Sequence, residues 1–233
     1  MNVNGGKILN ALHIEERLSA AKPGRRAAPG SPGGTPGESP GGPRGELSDG
    51  ARPSGDHDLN PELYEPSVKL IPAAVLVPLV QHPQGMTVLL TRRTAHLHDH
   101  AGQIAFPGGR VDAADAGPTE AALREAEEEV GLPRSHVRLV GELDLYVTRT
   151  GFEVTPVVGL ITPGFPMIPE SFEVDEIFEV PLAFFLAPES REIHSRFYRG
   201  AERRFYAYPY QDYYIWGATA GMLNNLADLL MEP

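Results

Sequence analysis

The residues with the clearest chemical potential stand in Arg124-Glu125-Ala126-Glu127-Glu128-Glu129. On a helix turning about 100° per residue, Glu129 falls about 40° to one side of Glu125 and Glu128 about 60° to the other. Glu125, Glu128 and Glu129 thus share a face, and Glu127 lies on the far side. Arg124 sits beside Glu128 at i+4 and within reach of Glu120 at i−4. Three like charges on one face repel one another, which a purely structural helix avoids. A hard divalent cation offsets that repulsion: Mg²⁺ or Mn²⁺ takes oxygen ligands, and Glu at i and i+4 can share an ion. Such an ion polarises a phosphoryl oxygen and acidifies water near neutral pH. The plain alternative is a solvated acidic helix, since Glu is a good helix former.

The elements that must position these residues follow from the local sequence. Pro118 suits a first helical turn and Gly131 a helix stop, so the spacing predicts a helix over 118–130. Leu123, Val130, Ala126 and Ala122 give it an apolar face to pack on a sheet. Before it, Phe106-Pro107-Gly108-Gly109 makes a turn where backbone amides can approach phosphates closely. Strands are expected at 69–80, although Pro72 and Pro78 interrupt it, then at 86–92, 137–148 and 152–161. A hairpin is expected from 193–198 and 203–208, and a C-terminal amphipathic helix over 216–231. The body is mixed α and β.

Two segments precede that body. Ile8, Leu9, Leu12, Ile14 and Leu18 form a helical stripe over residues 1–21, able to dock on the core or on a second copy of the chain. Half of residues 22–55 are Gly or Pro, so 22–60 reads as a disordered linker and 61–233 as the catalytic domain. The formal net charge of −11 argues against a nucleic-acid binder, which needs a basic face. With no cysteine, disulfides and thiolate chemistry are excluded. No apolar run is long enough to span a membrane, and Glu15, Glu16 and Arg17 break up any signal-peptide core, so a cytoplasmic address is expected.

The helix segment resembles the Nudix box, G-x5-E-x7-R-E-U-x-E-E-x-G-U. It matches at Arg124-Glu125-Ala126-x-Glu128-Glu129-x-Gly131-Leu132, with Ala126 in an aliphatic position. Gly109 lies fifteen residues before Arg124 where the pattern has fourteen, and the pattern's earlier glutamate falls on Ala116, beside Asp115. Upstream, Leu89-Leu90-Thr91-Arg92-Arg93, Gly102 and Phe106-Pro107-Gly108-Gly109 resemble the signature of the coenzyme A diphosphatase branch, with Thr94 for Ser or Ala and His98 for Arg. Matches at Thr150-Gly151-Phe152, Phe178-Glu179-Val180-Pro181-Leu182 and Trp216-Gly217 extend the likeness over 67–231.

This resemblance implies an α/β/α sandwich with a mixed sheet. It implies Glu125 and Glu129 as principal Mg²⁺ ligands, with Mn²⁺ as substitute, and Glu128 as ligand of a further ion or activator of water. Arg124 would orient the glutamates, and Gly108, Gly109 and Arg93 would meet the diphosphate. Glu173 is the candidate base or extra ligand from a later loop, with a surface ion pair as the alternative. The implied reaction is hydrolysis of coenzyme A, or its oxidised or acyl forms, to 3′,5′-ADP and 4′-phosphopantetheine. Two alternatives are a diphosphatase for ADP-ribose or a dinucleotide, and a nucleotide-binding module without turnover. The intact Glu125, Glu128 and Glu129 speak against the last. A homodimer is a further candidate assembly.

Other features have plainer readings. His96, His98 and His100 alternate but lack the further ligands of a zinc site; His98 could meet phosphate. Six tyrosines between Tyr198 and Tyr214 could stack on adenine or simply build a sheet or dimer contact. Arg203 and Arg204 could meet a 3′-phosphate or be exposed strand residues.

Overall fold

Alternation of apolar residues along one strand sets the architecture. In β2 (Ile71–His82), Ala74, Leu76 and Val80 point to one side of the sheet, and Ala73, Val77 and Leu79 to the other. Each set joins a different buried cluster, so the sheet is covered on both faces. The computed structural model describes residues 10–20, 53–61, 69–96, 101–198 and 200–232. In chain order its elements are α1 (Ala11–Ala20), β1 (Ser54–Gly55), β2, β3 (Gly85–Arg93), β4 (Ile104–Ala105), β5 (Gly108–Arg110), α2 (Pro118–Val130), β6 (Val137–Glu142), β7 (Tyr146–Val147), β8 (Phe152–Ile161), β9 (Val174–Pro181), α3 (Leu182–Leu186), β10 (Glu192–Tyr198), β11 (Ala201–Tyr210), β12 (Tyr213–Trp216) and α4 (Ala218–Met231).

The main sheet is mixed, with order β1-β7-β8-β2-β3-β4; β5 also pairs with β2, β6 with β8 and β9 with β3. β2 and β8 run parallel, from Ile71 opposite Phe152 to Val80 opposite Ile161. Pro78 is tolerated inside β2 because of where its missing N–H falls. The Leu76 N–H donates to the Pro107 carbonyl at 2.9 Å, so Leu76 and Pro78 present their backbone polar groups to the β5 and β3 side. On that side β5 pairing ends at Val75 and β3 pairing begins at Leu79. The proline occupies the gap, where no ladder bond is lost. β10, β11 and β12 form a second, antiparallel sheet.

α2 packs on one face through Ala121, Ala122, Ala126 and Val130. α4 covers the other face through Met222, Leu223, Leu226, Leu229 and Leu230, joined by Ile14 and Leu18 of α1. This is an α/β/α arrangement, as the sequence led one to expect. Among the described residues no helix is long and apolar enough to cross a membrane.

The expected linker ends before residue 60. Ser54 and Gly55 pair with Tyr146 and Val147, His57 and Asn60 are buried, and the Asn60 side chain brackets the Arg204 backbone with bonds of 2.8 and 2.9 Å. Composition hid this because Pro53 and Gly55 count as chain breakers. Yet a Cβ on Gly55 would lie 2.4 Å from the Val147 carbonyl, so glycine is what lets the strands meet. Residues 21–52 lie outside the described residues. α1 is more than a loose appendage: Ile14 and Leu18 are buried, and the Arg17 Nε donates to the Leu229 carbonyl at the end of α4 at 3.1 Å.

Candidate active site

α2 begins on Pro118 and stops at Gly131, whose left-handed φ of 66° lets its N–H close on the Glu127 carbonyl at 3.1 Å. The helix presents Glu125 and Glu129 to the Gly108-Gly109 turn, while Glu128 meets Arg124. Glu129, which the wheel puts on the acidic face with Glu125 and Glu128, is buried, with 6% of its surface exposed. Glu128 is exposed and Glu125 half-buried.

Arg124 holds this face together. Its Nε and Nη2 donate to Asp115 Oδ1 and Oδ2 at 2.9 and 3.1 Å, while Nη1 donates to Glu125 Oε1 at 2.9 Å and Glu128 Oε2 at 3.1 Å. The Asp115 hydrogen bonds hold the guanidinium firmly protonated, and the guanidinium holds the Asp115 carboxyl below its ordinary value. Burial pushes the Glu125 carboxyl up, and Arg124 pulls it back. The sequence left Asp115 only as a neighbour of the box position on Ala116. The loop's extra residue brings Asp115, not Ala116, under the guanidinium. Glu120, expected beside Arg124, pairs with Arg134 instead, as does Glu127.

Glu129 is the most perturbed carboxylate of the site. Burial raises its carboxyl from 4.5 to about 8, and the charges of Glu125 and Glu173 add to that. The Gly108 N–H, donating to Oε2 at 3.2 Å, and Arg93, with Nη1 3.5 Å from Oε1, oppose it. Arg93 also reaches Glu173, Nη2 to Oε2 at 3.4 Å. Gly108 and Arg93, expected at the diphosphate, Glu129, expected as a metal ligand, and Glu173, the candidate base, form one connected network.

The two glycines are required for different reasons. A Cβ on Gly109 would lie 2.4 Å from Glu125 Oε1, so a side chain there would push the carboxylate aside. A Cβ on Gly108 would lie 2.4 Å from the Ala74 carbonyl, where backbone would have to move.

The donor chemistry fits a hard divalent cation, although among the described residues no three acidic or histidine side chains already converge as a cage. Glu129 is desolvated beside two like charges and faces one guanidinium at 3.5 Å. Arg124 takes Oε1 of Glu125 and Oε2 of Glu128, leaving the other oxygen of each as the one a cation would use.

The remaining features resolve plainly. His98 and His100 lie outside the described residues; His96 meets the Phe172 ring at 5.0 Å. Arg203 and Arg204 lie on β11 in the second sheet. Tyr208 is buried in the core, and Tyr213 stacks on Phe178 while donating to Glu176 at 2.7 Å.

Residues 70–200 match the family model described as NUDIX domain. A protein named Uncharacterized Nudix hydrolase NudL, from Escherichia coli K12, is 44% identical over 169 residues, covering 72% of this chain and 88% of the relative. Among solved structures, an Ap4A hydrolase binary complex from C. elegans aligns with a TM-score of 0.41 and 19% identity, over 49% of this chain and 82% of that one. The NUDIX domain of Shewanella oneidensis NrtR, complexed with ADP ribose, aligns with a TM-score of 0.39 and 20% identity, over 52% of this chain and 79% of that one. The family match spans more than half of the chain, and the Escherichia coli relative is similar over nearly its whole length. The chain is a member of the Nudix family, hydrolases of nucleoside diphosphate derivatives that generally work with divalent metal ions.

Proposed function

We propose that this chain is a Mg²⁺-dependent coenzyme A diphosphatase. The observation that carries the reading is Arg93, the arginine of the Leu89-Leu90-Thr91-Arg92-Arg93 element, standing 3.5 Å from Glu129 and 3.4 Å from Glu173. An element resembling a coenzyme A signature thereby contributes directly to the carboxylate network. Mg²⁺, or Mn²⁺ in its place, would be held by Glu125, Glu128 and Glu129. When bound there the cation supplies charge neutralisation for the diphosphate and acidifies a water molecule.

The chain's own residues do the rest. Arg124 fixes the rotamers of Glu125 and Glu128 and lowers the mutual repulsion of the cluster. Glu129 is buried and takes a hydrogen bond from the Gly108 N–H, which fixes the carboxylate that would meet the cation. Glu173, tied to Arg93, would accept the proton of the attacking water. Gly109 leaves room for the Glu125 carboxylate against the turn, and Gly108 lets the turn lie close on β2, so that this turn would meet the diphosphate with backbone. Water adds across the bridge: one P–O bond breaks, the water oxygen stays on one phosphorus, and 3′,5′-ADP and 4′-phosphopantetheine leave.

The test is incubation with Mg²⁺ and a panel of coenzyme A, its oxidised and acyl forms, ADP-ribose and dinucleotides, with products identified by mass. The reading expects 3′,5′-ADP and 4′-phosphopantetheine from coenzyme A as the fastest reaction. Faster turnover of ADP-ribose or a dinucleotide would replace it with the other diphosphatase reading. No turnover of any substrate would leave only a binding module.

A further inference from the structure

The connection between β8 and β9 carries an aromatic residue, Phe172, next in sequence to Glu173 of the carboxylate network. It is anchored on the end of α2, where the Ile168 N–H donates to the Val130 carbonyl at 3.1 Å and the Glu170 N–H to the Glu129 carbonyl at 2.9 Å. It is also anchored on the end of β3. The Thr94 hydroxyl donates to the Phe172 carbonyl at 2.8 Å and the Thr94 N–H to the Glu173 carbonyl at 2.9 Å. The backbone on both sides of Phe172 is thus fixed without help from its ring.

Yet the Phe172 residue is 63% exposed. Its described ring neighbour is His96, itself exposed, with centroids 5.0 Å apart and planes at 61°. The two rings make an open corner one residue from Glu173. Folding gains little from an aromatic ring left in water on an already fixed loop. A ligand with a flat π-face would gain from it, since base–aromatic stacking tolerates any base and grows with overlap.

We propose that Phe172 and His96 form the nucleobase platform of this enzyme, with a purine of the substrate stacked on the open face of Phe172 and edged by His96. The proposal rests on the diphosphatase reading but not on coenzyme A as substrate. In any nucleoside diphosphate derivative the base lies one sugar away from the diphosphate. That matches a platform beside the carboxylates and not among them.

The test is calorimetric titration of wild type, Phe172→Ala and Phe172→Tyr with AMP and with 4′-phosphopantetheine, which carries a phosphate but no ring, all with Mg²⁺ present. The expected result is AMP binding weakened about tenfold in Phe172→Ala and restored to within about twofold in Phe172→Tyr. Affinity for 4′-phosphopantetheine should change less than about twofold, within the range of ordinary surface substitutions. KM for an adenine-containing diphosphate should rise with the AMP dissociation constant. Unchanged AMP affinity in Phe172→Ala overturns the proposal. So does equal weakening of both ligands, which would mean that the ring supports the Glu173 loop. Because AMP binding needs no turnover, a platform found here survives even if coenzyme A is not hydrolysed.

Discussion

Asp115 grips Arg124 through two near-parallel hydrogen bonds, Nε to Oδ1 at 2.9 Å and Nη2 to Oδ2 at 3.1 Å. The third guanidinium nitrogen is thereby aimed between Glu125 and Glu128, since a planar fork fixed on one edge has its remaining donor direction set. The Asp115 side chain is 3% exposed, so water competes weakly for it. Asp115→Asn should keep the fold and lower apparent Mg²⁺ affinity or turnover about 10- to 100-fold, the usual effect of losing a group that orients ligands. A Mg²⁺ titration of activity reads this directly; an unchanged curve would show that Arg124 needs no such anchor.

Glu129→Gln should reduce kcat by roughly 10²–10³, comparable to removing one strong electrostatic contributor from an active site. Glu127→Gln is the control. Glu127 points away from the cluster and forms an exposed pair with Arg134, so its loss should shift stability by no more than about 1 kcal/mol and leave turnover unchanged. Near-wild-type rates for both at saturating Mg²⁺ would remove α2 from the chemistry.

The two turn glycines should fail differently. Gly109→Ala meets the far end of the Glu125 side chain, which can swing away, so the protein should fold with a normal melting curve and lose most of its activity. Gly108→Ala meets the Ala74 carbonyl and the Val75 backbone, so it should lower the melting temperature as well. Melting temperature and rate measured on both variants separate the effects; equal loss of stability in both would contradict the geometry.

The Glu129 carboxyl gives the metal-free protein a pH signature. Its folded value of about 8 is raised from 4.5, so between those values the folded state holds a proton that the unfolded chain has released. The stability this contributes is complete below 4.5 and is lost as pH rises through about 8. In chelator, the Glu129→Gln variant should therefore gain stability relative to wild type as pH rises across that window. Urea midpoints at several pH values check this; parallel curves for the two proteins would refute the burial argument.

Ile14 is fully buried, whereas Leu12 on the same helix is 66% exposed. Ile14→Ala should destabilise the protein by about 2–5 kcal/mol, as in other buried large-to-small substitutions. Leu12→Ala should stay within about 0.5 kcal/mol. Removing residues 1–60 should lower stability, because it strips Ile14 and Leu18 from the core and leaves Tyr146 without its Asp56 partner at 2.9 Å. Denaturation of the three variants measures how far α1 belongs to the domain.

The sequence revealed α2 and β8 to the residue because proline, glycine and a long apolar run mark their ends. It concealed β9, where Asp175, Glu176 and Glu179 look unlike a strand. Those charges are answered across the sheet: Arg92 pairs with Asp175 and Glu176, and His82 and Thr87 with Glu179. Such answers come from β3 and β2, far away in the chain, and no local pattern contains them. Asp115 was hidden for a related reason: a one-residue longer loop changes which acid reaches Arg124. The carboxylate cluster itself was legible because helical spacing is a local property.

β2 serves both buried clusters, and its backbone pairs with β3, β5 and β8. Opening β2 breaks both clusters and three strand pairings at once. Its central amides, those of Val77, Leu79 and Val80, should thus exchange hydrogen with solvent only through global unfolding, and their protection should report the total free energy of the domain. Amides of the short β1 and β7 pair, which close the far edge, should exchange sooner. A single strand makes the helix that carries the carboxylates and the C-terminal helix members of one cooperative unit.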